Sequence, residues 1–331
     1  GRLLRKLGLV LPFLAACWHG ALFEGLRPRP RSKAWADLVH AFRLHPPARV
    51  VAFRMVTHPA ALALLAHWPQ ASADIDVDDV ESNTRISVGG ALLRLGRWRA
   101  ALRETLIGAQ YKAVERWASA RYRTVWLASP GDCRAFVTRL AANVACRPNR
   151  LAIASRAPPG AGSPRDLLFV GTLNYPPNEE AARFLLRHVL PRLQGPAWRL
   201  TIAGRHAPPA LRQQIDAWAG PFARVELADG PPDLAPFYAR AGIVLVPLKA
   251  GGGTKFKTLE AFAHGKPVIA TTQGVRGLDA VAGRDYLSAE TPAQFAAAIA
   301  RLAADPALAG KLARAGHAMW QSRFQAGAEH A

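Results

Sequence analysis

The 331-residue chain predicts an α/β protein with doubly wound parallel sheets, and three observations carry that expectation. From Asp166 onward, short apolar runs at 167–171, 199–203, 223–227, 243–247 and 267–270 alternate with helix-length segments near 178–193, 209–219, 234–241 and 254–264. Strands that are joined by crossover helices pair in parallel and are covered on both faces. The stretch 251–272, GGGTKFKTLEAFAHGKPVIATT, reads as glycine loop, helix and next strand. Finally, half of the residues are hydrophobic and a fifth are charged, the balance of a globular chain long enough for two domains.

Each element of the 251–272 stretch has a local cause. Gly251, Gly252 and Gly253 let the backbone approach a ligand that any Cβ would obstruct. Thr254 is expected to cap the helix and Gly265 to end it. A helix N-terminus behind a glycine loop offers N–H groups and a positive dipole end, which suits phosphate. Glu260, nearly two turns in, is placed to accept hydrogen bonds from a sugar diol. Ligands on such sheets bind beyond the carboxyl ends of the strands, where the Gly171 turn and the Gly251 loop both fall.

The first half is less regular, with strands near 49–53, 75–77 and 124–128 and a long helical region at 92–118. We expect an N-terminal domain at 1–155 that lacks its early strands, a Pro/Gly/Ser-rich linker at 156–165 and a C-terminal domain at 166–331. Cys17, Cys133 and Cys146 are odd in number, widely spaced and without a CxxC pair, which favours a cytoplasmic chain without disulfides. The net charge of +20 is uneven: residues 1–165 carry 25 Lys+Arg against 10 Asp+Glu, or +15, and 166–331 carry +5. A basic half suits an anionic partner such as a membrane surface, and without an RNA-type aromatic motif no nucleic acid is expected. The apolar run 7–18 follows Arg2, Arg5 and Lys6, but Pro12 interrupts it and it is too short to span a bilayer. It is expected to pack on the first domain or rest on a membrane. The chain begins at Gly1, so residues are expected to be missing upstream.

These residues resemble the retaining glycosyltransferase family four, with its GT-B fold of two facing Rossmann-like domains. LLFVGTLNYPPNEEAARFLLRHVLPRL, LTIAGR and LADGPPDLAPFYARAGIVLVPLKAGGGTKFKTLEAFAHGKPVIATTQGVRGL carry the resemblance in the second half. IDVDDVES, SPGDCRAF and CRPNR carry it more loosely in the first, towards bacterial cell-envelope or exopolysaccharide sugar transferases. The resemblance implies sugar transfer from a nucleotide-sugar to an acceptor hydroxyl of a glycan or lipid-linked acceptor, with retention, no metal and no cofactor beyond the donor. The expected localisation is cytoplasmic, at the inner face of the membrane, where the basic first half would make peripheral contact with anionic lipid.

Carried over residue by residue, Glu260 takes the second position of the family's E-x7-E pair, on the donor ribose. The first position falls at Gly252, so the loop backbone with Gly253 and Thr254 takes over the sugar contact. The family's Arg and Lys after the FVG strand are replaced by Thr172 and Asn178. Lys255 and Lys257, in the first turn, are expected to meet the diphosphate instead, although residues two apart cannot share one helical face. Gly171 and Thr258 complete the expected donor contacts. Asp78 and Asp79 are the expected catalytic carboxylates, with structural capping by Asp79 or Ser82 as the alternative.

The Asp76–Val77–Asp78 string resembles a D-x-D metal motif, but beside a complete donor domain it is not assigned a metal. His58 follows an apolar strand and is placed either towards the cleft or in packing. There is no HExxH, GxSxG or GxGxxG, which removes the best evidence for metallohydrolase, serine hydrolase and dehydrogenase readings. The alternatives are a nucleotide-sugar epimerase, a truncated donor-binding protein without transferase activity, and a basic membrane- or nucleic-acid-binding protein.

Overall fold

The computed structural model describes residues 33–140, 143–153, 162–195 and 197–326, and the chain forms two compact units. One unit joins residues up to 86 with 102–147, and the other joins 87–101 with the chain from 148 onward. The sequence reading assigned 87–101 to the N-terminal domain, whereas the chain packs it with the C-terminal one. The apolar run 7–18, Cys17 and most of the 156–165 linker lie outside the described residues.

The second unit is built on six parallel strands: β5 (Ser163–Val170), β6 (Trp198–Gly204), β7 (Ala223–Asp229), β8 (Ala241–Val246), β9 (Val268–Ala270) and β10 (Leu287–Ser288). Their order is β10-β9-β8-β5-β6-β7. From β5 the chain moves outward to β6 and β7 and then returns to β8, so the direction of winding reverses between β5 and β8. That reversal opens a crevice at the carboxyl ends of these two strands.

The central strands are buried on both faces, which is why they read as largely apolar runs rather than alternating ones. All six residues of β8 are buried, as are the last four of β5. Helices α6 (Pro176–Phe184), α7 (Pro209–Asp216), α8 (Ala235–Arg240), α9 (Phe256–Ala263), α10 (Pro292–Ala304) and α11 (Pro306–Arg323) accompany the strands. Phe169, Ile202, Leu245, Phe262 and Ile269 are completely buried in its core, and each contributes about 1.5–3 kcal/mol by leaving water. The helix expected over 178–193 stays α-helical to Phe184, then widens into a π turn at Leu185–Val189 and tightens into a 3₁₀ turn at Leu190–Arg192 around Pro191, which has no N–H to donate.

The first unit carries a parallel sheet in the order β1-β2-β3-β4: β1 (Arg49–Phe53), β2 (Ser72–Asp78), β3 (Thr124–Leu127) and β4 (Val144–Cys146). The short strand β4 has no counterpart among the sequence expectations. Helices α1 (Lys33–Ala41), α2 (His58–His67), α3 (Glu81–Arg94), α4 (Trp98–Ser119) and α5 (Pro130–Leu140) complete the first half of the chain. Ser82 on α3 donates from both N–H and hydroxyl to the buried Glu115 of α4, at 2.9 and 2.6 Å. Burial outweighs those hydrogen bonds and pushes the Glu115 carboxyl up to about 7.

Candidate functional site

A cavity of about 780 Å³ opens at the carboxyl ends of β5, β6 and β8, wholly within the second unit. Its volume falls in the range of small-molecule sites. Gly171, Thr172, Asn178, Gly251, Gly252, Thr254, Lys255, Lys257 and Glu260 all line it, together with Arg205, Tyr238 and His264.

The glycine loop is held in a conformation that side chains resist. Gly251 has φ of +111° and Gly253 of +60°, values that glycine adopts without strain and most side chains resist. The Gly251 peptide is pinned on both sides: its N–H donates to Ser87 Oγ at 2.8 Å, and its carbonyl accepts from Gln273 Nε2. Lys255 Nζ donates to the Gly252 carbonyl. Among the described residues, the N–H groups of Gly252 and Gly253 enter no backbone hydrogen bond. The Thr254 hydroxyl is buried and has no hydrogen-bond partner among the described residues. An unsatisfied buried hydroxyl costs about 1–3 kcal/mol, which a ligand acceptor at this position would offset.

Lys257 reaches across from the first turn of α9 to the first turn of α6. Its Nζ donates to Asn178 Oδ1 at 2.6 Å and lies 4.7 Å from the centre of the Phe169 ring. Asn178 in turn donates to the Thr172 carbonyl at 2.9 Å. Gly171 makes the space, because a Cβ there would lie 2.8 Å from both Lys257 Nζ and the Asn178 amide. Burial, reinforced by the charge of Lys255, lowers the Lys257 ammonium to about 7, against a smaller opposing effect of Glu260.

Glu260 accepts a 3.0 Å hydrogen bond from the fully buried Tyr238 hydroxyl, and the Tyr238 ring stacks on His264 at 4.5 Å between centres. Burial raises the Glu260 carboxyl above its ordinary value despite the Tyr238 bond and the nearby Lys257. One oxygen is therefore oriented by Tyr238 on a residue that lines the cavity. A carboxylate held this way can accept from two neighbouring hydroxyls.

Several expectations need correction. Thr254 does not cap the helix: α9 begins at Phe256, and Lys255 is its N-cap residue without a side-chain cap. The loop conformation at Gly253 and the non-helical Lys255 delay the first turn by one residue. Because Lys255 precedes the helix, the periodicity that separates residues two apart does not apply, and both lysines line the cavity. Thr258 is completely buried and donates to the Gly274 carbonyl at 2.6 Å, so it supports the loop after β9 instead of lining the cavity. Gly253 is buried and is also absent from the lining.

In the first unit, Asp78 ends β2 at a bulge with φ of +61°, and its Oδ2 accepts from Arg54 at 2.9 Å. The Asp79 N–H donates to the Val77 carbonyl at 2.7 Å. His58 is packing: it is fully buried, with Nδ1 2.7 Å from the Tyr122 hydroxyl. Among the described residues no three His, Cys, Asp or Glu side chains gather as metal ligands. Sequence reasoning missed Ser87, Arg205 and Tyr238. Arg205 directly follows the β6 strand end and was open to the same argument as Gly171, whereas Ser87 and Tyr238 carry no local signal.

Residues 164–305 match the family model described as Glycosyl transferases group 1, less than half of the chain. No curated protein matches the chain. Among solved structures, a sucrose-phosphate synthase from Thermosynechococcus elongatus is similar with a TM-score of 0.63 at 20% identity, over 92% of this chain and 75% of that one. HepE from Anabaena, solved with UDP-glucose, gives 0.63 at 16% identity over 91% and 80%. A glycosyltransferase from Rickettsia africae gives 0.62 at 11% identity over 91% and 80%. At these identities the likenesses show the GT-B fold, and the stretch that matches the group 1 model lies within the unit that holds the cavity.

Proposed function

We propose that the protein transfers a sugar, with retention, from a nucleoside-diphosphate sugar to an acceptor hydroxyl on a glycan or lipid-linked acceptor during cell-envelope or exopolysaccharide synthesis. The observation that carries this reading is the convergence of loop amides, an unpartnered buried hydroxyl, two lysines and an oriented carboxylate on one cavity. The Anabaena structure was solved with UDP-glucose, which makes UDP-glucose the first donor to try.

In this reading Glu260 takes the ribose diol, while Gly252, Thr254, Lys255 and Lys257 take the diphosphate. As the anomeric C–O bond breaks, its electron pair leaves with the diphosphate, and preorganised donors stabilise the charge that grows there. No metal enters the proposal. Asp78 and Asp79 are assigned to activation of the acceptor hydroxyl, and the protein works at the inner face of the membrane in peripheral contact with anionic lipid.

Calorimetry with a panel of nucleotide sugars tests the donor site. Glu260→Ala is expected to lose about 1–3 kcal/mol of donor affinity, the range for a charge-assisted hydrogen bond. Unchanged affinity removes Glu260 from the site. Asp78→Asn and Asp79→Asn are expected to bind donor normally and lose transfer about a hundredfold or more in one of the two.

A further inference from the structure

Helix α4 runs without a break from Trp98 to Ser119 and has two unlike faces. One face is buried, with Ala101, Tyr111, Val114 and Glu115 turned inward. On the other, Trp98, Leu102 and Leu106 are 60%, 55% and 45% exposed. Residues four apart on an α-helix advance by about 40°, so these three form one stripe. Ala109 and Ala113, also exposed, prolong it. From Trp98 to Ala113 the stripe is about 22 Å long at the helical rise of 1.5 Å per residue.

Its charge is one-sided. Both acidic residues of the helix are engaged away from the stripe: Glu104 accepts from Arg85 at 3.0 Å, and Glu115 is held by Ser82. Arg99, Arg103 and Lys112 are exposed beside the stripe, and the Arg99 guanidinium lies 5.1 Å from the centre of the Trp98 ring. Large apolar side chains in water with basic residues along their edges are the pattern of a helix that lies in a membrane interface. The stem of a basic side chain can cover apolar surface while its head reaches a phosphate.

We propose that this face of α4 docks on a membrane surface containing anionic lipid, with Trp98, Leu102 and Leu106 entering the headgroup boundary and Arg99, Arg103 and Lys112 meeting lipid phosphates. The inference rests on the membrane contact in the proposed function and gives it a location. A second copy of the chain fits the face less well, since the basic edges would oppose each other. Nucleic acid fits less well too, because the stripe offers two leucines and one aromatic ring where base stacking requires several aromatic rings.

The test is co-sedimentation of the full chain with vesicles of phosphatidylcholine alone and of phosphatidylcholine with phosphatidylglycerol. Strong binding is expected only to the second. The charge-neutral triple variant Trp98→Ala, Leu102→Ala, Leu106→Ala is expected to bind at least about tenfold more weakly. The triple variant Arg99→Gln, Arg103→Gln, Lys112→Gln is expected to lose about a hundredfold at low salt.

Equal binding to neutral vesicles, undiminished binding by the apolar variant, or a dimer that the apolar variant dissociates in light scattering would each overturn the proposal. UDP-glucose calorimetry on the same variants reads the donor site separately. Retained donor binding with lost vesicle binding supports the docking face, and lost donor binding in the unaltered chain sinks the transferase reading alone.

Discussion

Lys257 gives the sharpest test of how the cavity handles charge. Its ammonium is lowered to about 7 by burial, so at pH 7 about half of the empty molecules carry the charge there. A bound diphosphate supplies the counter-charge and returns the group towards its ordinary value. If only the charged form binds, affinity follows the charged fraction and falls about 16-fold between pH 7 and 8.5, or about 1.6 kcal/mol. Binding at pH 8.5 then takes up about one proton.

The ligand for this assay is UDP-glucose, whose pyrophosphate diester does not itself titrate in the range. Isothermal titration in buffers of different ionisation enthalpy reads affinity and proton uptake together. Lys257→Met is expected to bind more weakly at pH 7 and to show no pH dependence. The stability of the empty protein should move the other way: with the folded pKa below the unfolded one, the unfolded chain binds the extra proton between pH 7 and about 10.5, so this group adds stability as pH rises. Opposite trends in affinity and stability exclude general unfolding as the cause. Flat affinity from pH 7 to 8.5 with no proton uptake refutes the assignment of Lys257 to the diphosphate.

Other perturbations test the scaffold. Glu115, raised to about 7 from the usual carboxylate range, stays protonated in the folded chain while the unfolded chain ionises, so stability should fall as pH rises from about 4.5 to 7, by up to about 3 kcal/mol. Urea titrations should show that slope flattened in Glu115→Gln. Glu179 is completely buried and is paired to Arg97 through two 2.8 Å bonds and to Arg183 at 3.0 Å. Glu179→Ala should cost about 3 kcal/mol in chemical denaturation, because two guanidinium groups lose their counter-charge. At Gly251 an added Cβ meets nothing nearer than 3.5 Å, so the effect of Gly251→Ala is backbone strain at φ of +111°, about 1–3 kcal/mol. It should appear as weaker UDP-glucose binding with little change in melting temperature if the loop relaxes locally.

What the sequence revealed and what it withheld divide along a physical line. The central strands of the second unit were legible because burial on both faces makes them largely apolar runs, as β8 shows, whereas the two-residue edge strand β10 leaves no such run. Strand β4 was hidden because three partly exposed residues, Val144 to Cys146, leave no such run. Within the site, Gly251 and Glu260 were legible because backbone freedom and a carboxylate at a fixed helical offset are local properties.

Ser87 was not legible, because its hydroxyl reaches the Gly251 amide across 164 positions of sequence. Tyr238 was missed for the same reason, since only the packing of α8 against α9 brings its hydroxyl to Glu260. The expectation that Lys255 and Lys257 diverge applied helical periodicity to a residue the fold leaves outside the helix. Once Gly253 turns left-handed and Lys255 stays non-helical, the spacing rule stops at Phe256, and two neighbouring ammonium groups can serve one cavity. The charge of Lys255 then helps to hold the Lys257 ammonium near 7. The loop geometry that brings the pair together therefore also makes donor binding depend on pH.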